Sequence, residues 1–121
     1  MLRGACLREA DMSGAQLDAA VLIGADLRKA NLRGGGFRHA RLNAADLSDA
    51  RLGGAFLVGA WLRGADLSGA YLRLAKLDGA DLSDANLEGV EGLTQDQLYR
   101  THCNSGTKLP AGLRGVEDAK R

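Results

Sequence analysis

Every fifth residue from Leu2 to Leu87 is large and apolar, eighteen positions in one uninterrupted register; all are leucine except Met12 and Phe37. Two residues before each of them, from Ala5 to Ala85, stands alanine, with Gly35 the single departure. No regular element accommodates this period. On an α-helix, at about 100° per residue, the leucines would drift by roughly 140° per unit and spiral around the surface. On a straight strand an odd period sends successive leucines to opposite faces. One geometry keeps them together. Alanine and leucine, two apart, point the same way from a short extended segment, and the remaining residues bend the chain. Glycine recurs two residues after the leucine, as at Gly14, Gly54 and Gly64, where a tight corner favours it.

If each unit turns the chain by about a right angle, four units close a square coil. Residues twenty apart then stack, at about 4.8 Å per coil. Eighteen units make about 4.5 coils, with leucines piled inside and alanines filling the crowded positions beside them. This is a solenoid, in which each coil touches only its neighbours.

Units such as Ala25-Asp26-Leu27-Arg28-Lys29, Ala65-Asp66-Leu67-Ser68-Gly69 and Ala80-Asp81-Leu82-Ser83-Asp84 resemble the pentapeptide-repeat proteins, whose unit reads Ala-Asp/Asn-Leu-x-x. The resemblance covers about three quarters of the chain. It implies an all-β solenoid, the right-handed quadrilateral β-helix; the square coil follows from the period, the handedness only from the resemblance.

The chain divides into three stretches. Residues 1–92 form the repeat, which starts without a capping segment: Met1-Leu2-Arg3-Gly4 is already the tail of a unit. Open solenoid ends expose apolar core and unpaired backbone, so the expectation is a partner over this end or a trimmed start. Register is lost at Val90-Glu91-Gly92-Leu93, where Leu93 arrives one residue late. Thr94-Gln95-Asp96-Gln97 then reads as a capping box, with Leu93 and Leu98 at the staple positions. A short helix is predicted over about 95–103, ending near Asn104-Ser105-Gly106, followed by an extended Lys108–Leu113 segment with Leu109 and Leu113 free to pack. Residues 93–113 are thus read as a C-terminal cap with a short α-helix. The strings Gly-Leu-Thr-Gln-x-Gln-Leu and Thr-Lys-Leu-Pro-x-Gly-Leu resemble a tail seen on many bacterial members of the family. Residues 114–121 read as a frayed charged tail.

Function is constrained mainly by exclusion. A filled square prism offers no evident cleft for catalysis. His39 falls at an outward corner, and neighbouring His102 and Cys103 lack the further ligands that a zinc site or a Cys–His nucleophile needs. Cys103 reads as a small buried apolar residue of the cap. The expectation is a non-enzyme without cofactor, metal or catalytic residues. Gly34-Gly35-Gly36 is followed by no Gly-Lys-Ser/Thr, so it is no phosphate loop; Gly35 instead returns volume to the larger Phe37. No apolar run is long enough to span a membrane. Two cysteines far apart, Cys6 and Cys103, suit a reducing, cytoplasmic setting. The net charge of +1 argues against direct nucleic-acid binding. That charge is uneven, with balances of +3 over residues 1–45, −4 over 46–92 and +2 over 93–121.

Two surface features bear on partners. Residues flanking the leucine point outward and are mostly polar, yet Phe56, Val58, Trp61, Tyr71 and Leu74 occupy outward slots within about one coil, with Val21 and Ile23 two coils earlier on the face of Trp61. Aromatic residues are common interface anchors, which makes this band the candidate site for a protein partner or for homodimerisation. The open N-terminal end, with Leu2 and Leu7, is the competing dimer surface. The alternative to a binding role is that the band packs on itself across a corner. The second feature is the column Asp26, Asp46, Asp66 and Asn86. Some pentapeptide-repeat proteins that confer quinolone resistance resemble duplex DNA in shape and charge and bind DNA gyrase. The resemblance therefore implies, as an alternative, a DNA-mimic regulator of a type II topoisomerase. Against it, Asp and Asn before the leucine belong to the repeat and can bond neighbouring backbone, and Arg51, Arg63, Arg73 and Lys76 interrupt the acidic field.

Overall fold

A computed structural model describes residues 2–114. In each five-residue unit the N–H three residues after the large apolar residue, an alanine except at Gly35 and Val90, donates to that residue's carbonyl, as Ala50 does to Leu47 at 3.0 Å. This closes a β-turn whose third residue is left-handed, the conformation type II turns require. All eighteen corners share it. Ten are glycine, and eight are not: Glu9, Ala19, Lys29, His39, Ala44, Asp49, Leu74 and Asp84 adopt φ of 58° to 63°. The coil imposes the corner even where the side chain resists it, at an expense of about 1 kcal/mol per non-glycine residue.

From Cys6 to Tyr71 the residue before each large apolar one forms a parallel bridge to the residue twenty positions on. The coil therefore closes after four units, as the period predicts. Hydrogen bonds run evenly between coils: Asp46 N–H to the Ala25 carbonyl (2.9 Å), Leu47 N–H to Asp66 (2.6 Å), Asp49 N–H to Ser68 (2.9 Å). Four columns mark four faces. The first carries Cys6, Asp26, Asp46, Asp66 and Asn86; the second Asp11, Asn31, Arg51, Tyr71 and Glu91; the third Gln16, Gly36, Phe56 and Lys76; the fourth Val21, Arg41, Trp61 and Asp81.

Inside, the leucines of the five-residue register from Leu22 to Leu87 and the alanines two before them from Ala25 to Ala85 are buried, and so is Phe37. Leucines 27, 47, 67 and 87 lie in one stack. Each buried leucine stabilises the coil by about 1.5–3 kcal/mol. Alanine suits its slot because nothing larger fits between stacked leucines. In the first coil Leu2, Leu7, Met12 and Leu17 are half-buried.

Beyond Glu91 the chain leaves the coil. Gly92 has φ of 79°, and a Cβ there would stand 2.8 Å from the backbone nitrogen of Arg73. Among the described residues one helix follows, α1 (Gln95–Tyr99). Its capping box is formed: Thr94 Oγ1 accepts from Gln97 N–H (3.2 Å), and Gln97 Oε1 accepts from Thr94 N–H (2.9 Å). The helix is shorter than the 95–103 that the sequence suggests. Thr101 turns its hydroxyl onto the Leu98 carbonyl (2.7 Å), and His102 rejoins the ladder, bridging Asp81 on the fourth face. Helical geometry cannot continue through a residue held extended on both sides. Asn104-Ser105-Gly106 is a separate turn, and Lys108 bridges Asn86 on the first face. The expected extended segment also ends early: Pro110–Leu113 is a turn, with Leu113 N–H 3.3 Å from the Pro110 carbonyl. Leu98 is fully buried, while Leu93, Leu109 and Leu113 pack against the core half-buried. Arg114 is tied at both backbone groups to the Gln95 amide. The rest of the tail, 115–121, lies outside the described residues.

Candidate functional site

The aromatic band occupies three faces. Phe56 is on the third face with Val58 just past it, and Trp61 is on the fourth; Tyr71 is on the second, and Leu74 sits at the corner between the second and third. Phe56, Val58 and Tyr71 are half-buried, Trp61 is 48% exposed and Leu74 74% exposed. What covers the rings is arginine. The Arg38 guanidinium lies 4.5 Å from the centroid of Phe56, and that of Arg41 lies 4.9 Å from Trp61. Arg41 and Trp61 are vertical neighbours in the fourth column. Arg38 is oriented in turn by Asp18, at 3.5 Å. Tyr71 rests against Gly53, where a Cβ would meet its ring at 3.3 Å. Sequence reasoning missed these arginines. The signal was available, since Arg41 is twenty residues before Trp61, but only a charge-by-column reading would find it.

The acidic column is assembled as expected, Asp26 over Asp46 over Asp66 over Asn86. Each side chain turns back on its own unit. Asp46 accepts from Ser48 N–H (3.0 Å) and hydroxyl (2.7 Å), and Asp66 does the same with Ser68 (2.9 and 2.6 Å). Asn86 accepts from Glu88 N–H and Asp26 from Arg28 N–H. Arg28 also pairs with Asp26 at 2.8 Å and reaches Asp46 at 3.7 Å. The Arg28 guanidinium bonded to Asp26 is the main reason that its carboxyl titrates at about 2 rather than 3.8. At Asp81, burial pushes the carboxyl up, but bonds from Ser83 and the charges of Arg63 and His102 outweigh it, so the pKa falls.

Cys6 is exposed, and both cysteines are free thiols. Cys103 is only partly buried, a correction to its reading as a buried residue: the shortened helix returns it to a leucine slot at the edge of the last, incomplete coil. Burial raises its pKa, against Thr101 and Thr107, whose hydroxyls lower it. Among the described residues no group of three or more His, Cys, Asp or Glu side chains is placed to hold a metal, and no helix is long and apolar enough to cross a membrane.

Between the corner 73–78 and α1 lies an open groove of about 540 Å³. Arg73, Leu74, Lys76, Asp78, Gln97 and Arg100 line it. It exists because a helix is wider than the rung it replaces. Gln97 bridges part of the gap, its Nε2 donating to the carbonyls of Leu72 (3.0 Å) and Ala75 (2.9 Å).

Comparison with known proteins gives consistent results. The family model described as pentapeptide repeats (8 copies) matches residues 2–34, 37–69 and 57–90. No curated protein matches. Among solved structures, a pentapeptide repeat protein from the Arabidopsis thaliana thylakoid lumen is 30% identical, with 94% of this chain and 74% of that one covered, at a TM-score of 0.50. QnrB1, a plasmid-mediated fluoroquinolone resistance protein, is 22% identical over 90% of this chain and 62% of its own, at a TM-score of 0.60. A pentapeptide repeat protein of the cyanobacterium Cyanothece 51142 is 31% identical over 69% and 63%, at 0.44. The chain spans less than two thirds of the length of the last two.

Proposed function

The chain belongs to the pentapeptide-repeat family, and from that premise we propose that it is a non-enzymatic scaffold that binds a protein partner through the band centred on Phe56, Val58 and Trp61. The fold is the right-handed quadrilateral β-helix of that family. One observation carries the reading: Trp61, half exposed, lies on a flat face with the Arg41 guanidinium held over its ring. Tryptophan and arginine dominate interface hot spots. Here the ladder fixes both backbones one above the other and the stacked guanidinium restricts both side chains, so less conformational entropy is lost on docking. Tyr71 and Leu74 extend the band around the next corner. Residues 93–113 serve as the C-terminal cap: α1 and the Lys108–Leu109 segment stand where the next coil would be. The two free thiols suit the cytoplasm of a bacterial cell.

The test is Trp61→Glu. The variant should lose a partner that the wild-type protein retains from lysate, with its melting temperature unchanged. Retention of that partner by a folded variant would sink the reading. A DNA-mimic regulator of DNA gyrase is the competing function, and the Asp26–Asp46–Asp66–Asn86 column is its support. A gyrase supercoiling assay separates the two, since only the mimic inhibits.

A further inference from the structure

We infer that the groove between the corner 73–78 and α1 is a second binding site, and that it takes an extended acidic peptide, a terminus or loop of a partner protein.

The argument begins with unused backbone donors. In regular coils the corner N–H and the leucine N–H each donate to a carbonyl of the next coil, as Gly54 does to Arg73 (2.9 Å) and Leu57 to Lys76 (2.7 Å). One coil further on, Leu74 and Leu77 occupy the equivalent positions. Their N–H groups have no acceptor among the described residues, because α1 has replaced the rung that would supply it. The carbonyls facing the same gap are taken: Gln97 fills those of Leu72 and Ala75. The edge therefore offers donors alone, at ladder spacing. A main chain laid there as a further rung would supply the missing carbonyls.

The second observation is charge. Arg73, Lys76 and Arg100 line the groove against one carboxylate, Asp78, which already pairs with Arg100 at 3.4 Å. Arg73 and Lys76 are exposed and have no carboxylate within ion-pair distance among the described residues. Donors plus unpaired cations select an anionic chain. The third observation is Leu74, an apolar side chain 74% exposed in a left-handed backbone, at the lip of the groove. It packs little and bears the left-handed strain of a non-glycine corner, and among those corners it is the one large apolar side chain left open to a partner. It presents an apolar contact to an alternate side chain of the incoming peptide. This site shares Leu74 with the outer end of the aromatic band but lies away from its centre at Phe56, Val58 and Trp61, and does not require Trp61.

The probe is a fluorescein-labelled Glu-Asp-Val-Asp-Glu peptide, with Lys-Lys-Val-Lys-Lys as control, titrated into the full chain and followed by anisotropy. The acidic peptide should bind and the basic one should not, with affinity falling as salt rises. Arg73→Glu/Lys76→Glu should bind at least about tenfold more weakly, and Arg73→Gln/Lys76→Gln should lie between. Trp61→Glu should bind as wild type, which separates this site from the aromatic band. On saturation, amide exchange at Leu74 and Leu77 should slow. Absence of binding, equal binding by the charge-reversed variant, or binding without slowed exchange at both amides would each overturn the inference.

Discussion

The Phe37 ring fills the space that a side chain at Gly35 would need: a Cβ there would stand 2.6 Å from Cε2 of the ring and 3.1 Å from the Leu32 carbonyl. The one phenylalanine in the leucine register and the one glycine in the alanine register are two halves of a single substitution. Gly35→Ala alone should destabilise the protein by about 1–3 kcal/mol through overpacking. Gly35→Ala/Phe37→Leu, which restores the regular unit, should recover most of that. Additive losses in chemical denaturation would mean that the two positions are not coupled.

Leu47 and Asp49 lie two residues apart, on opposite sides of the coil wall. Leu47→Asp places a carboxylate between Leu27 and Leu67 in a core closed to water, and should cost several kcal/mol or prevent folding. Asp49→Ala removes an exposed side chain and should change stability by under about 1 kcal/mol. Equal melting temperatures would contradict the inward and outward assignment.

Leu74 bears backbone strain without packing in return. Leu74→Gly relieves about 1 kcal/mol of left-handed strain, partly offset by the greater freedom of the unfolded chain. Calorimetry should show an unchanged or slightly higher Tm. A fall of several degrees would show that the side chain does pack.

Gln97 holds α1 to the coil more firmly than Thr94 does. Thr94→Ala should cost about 1 kcal/mol. Gln97→Glu keeps an oxygen for the Thr94 N–H but sets a carboxylate against the carbonyls of Leu72 and Ala75. It should cost more, about 2 kcal/mol or above at neutral pH. Part of the loss should recover in acid, where the carboxyl is neutral and can donate. A stability profile for Gln97→Glu parallel to wild type across that range would refute the contact.

Asp26 provides a spectroscopic check on the first face. Its folded pKa of about 2 lies below the ordinary 3.8, and the Arg28 hydrogen bond is the largest cause. The associated stabilisation is present above about 3.8 and fades as pH falls toward 2. Carboxyl chemical shifts should follow that titration, and in Arg28→Ala the midpoint should move up toward the ordinary value.

Much of this molecule is a consequence of its period. Side-chain direction is a local property of the backbone, so Leu27, Leu47 and Leu67 had to share a face once the chain turned at each unit. The ladder then placed Asp26 over Asp46 and Phe56 over Lys76 with no further information. The same regularity explains why Thr94 was readable as a cap, since a capping box spans only four residues. What the sequence could not determine lies past Gly92. There the register breaks, and the vertical neighbour of each residue ceases to be the one twenty positions away. The stop of α1 at Tyr99 depends on His102 finding the edge at Asp81, and the donors left at Leu74 and Leu77 depend on a helix standing where a rung would. These are contacts between segments whose spacing no local pattern encodes, and only the assembled coil decides them.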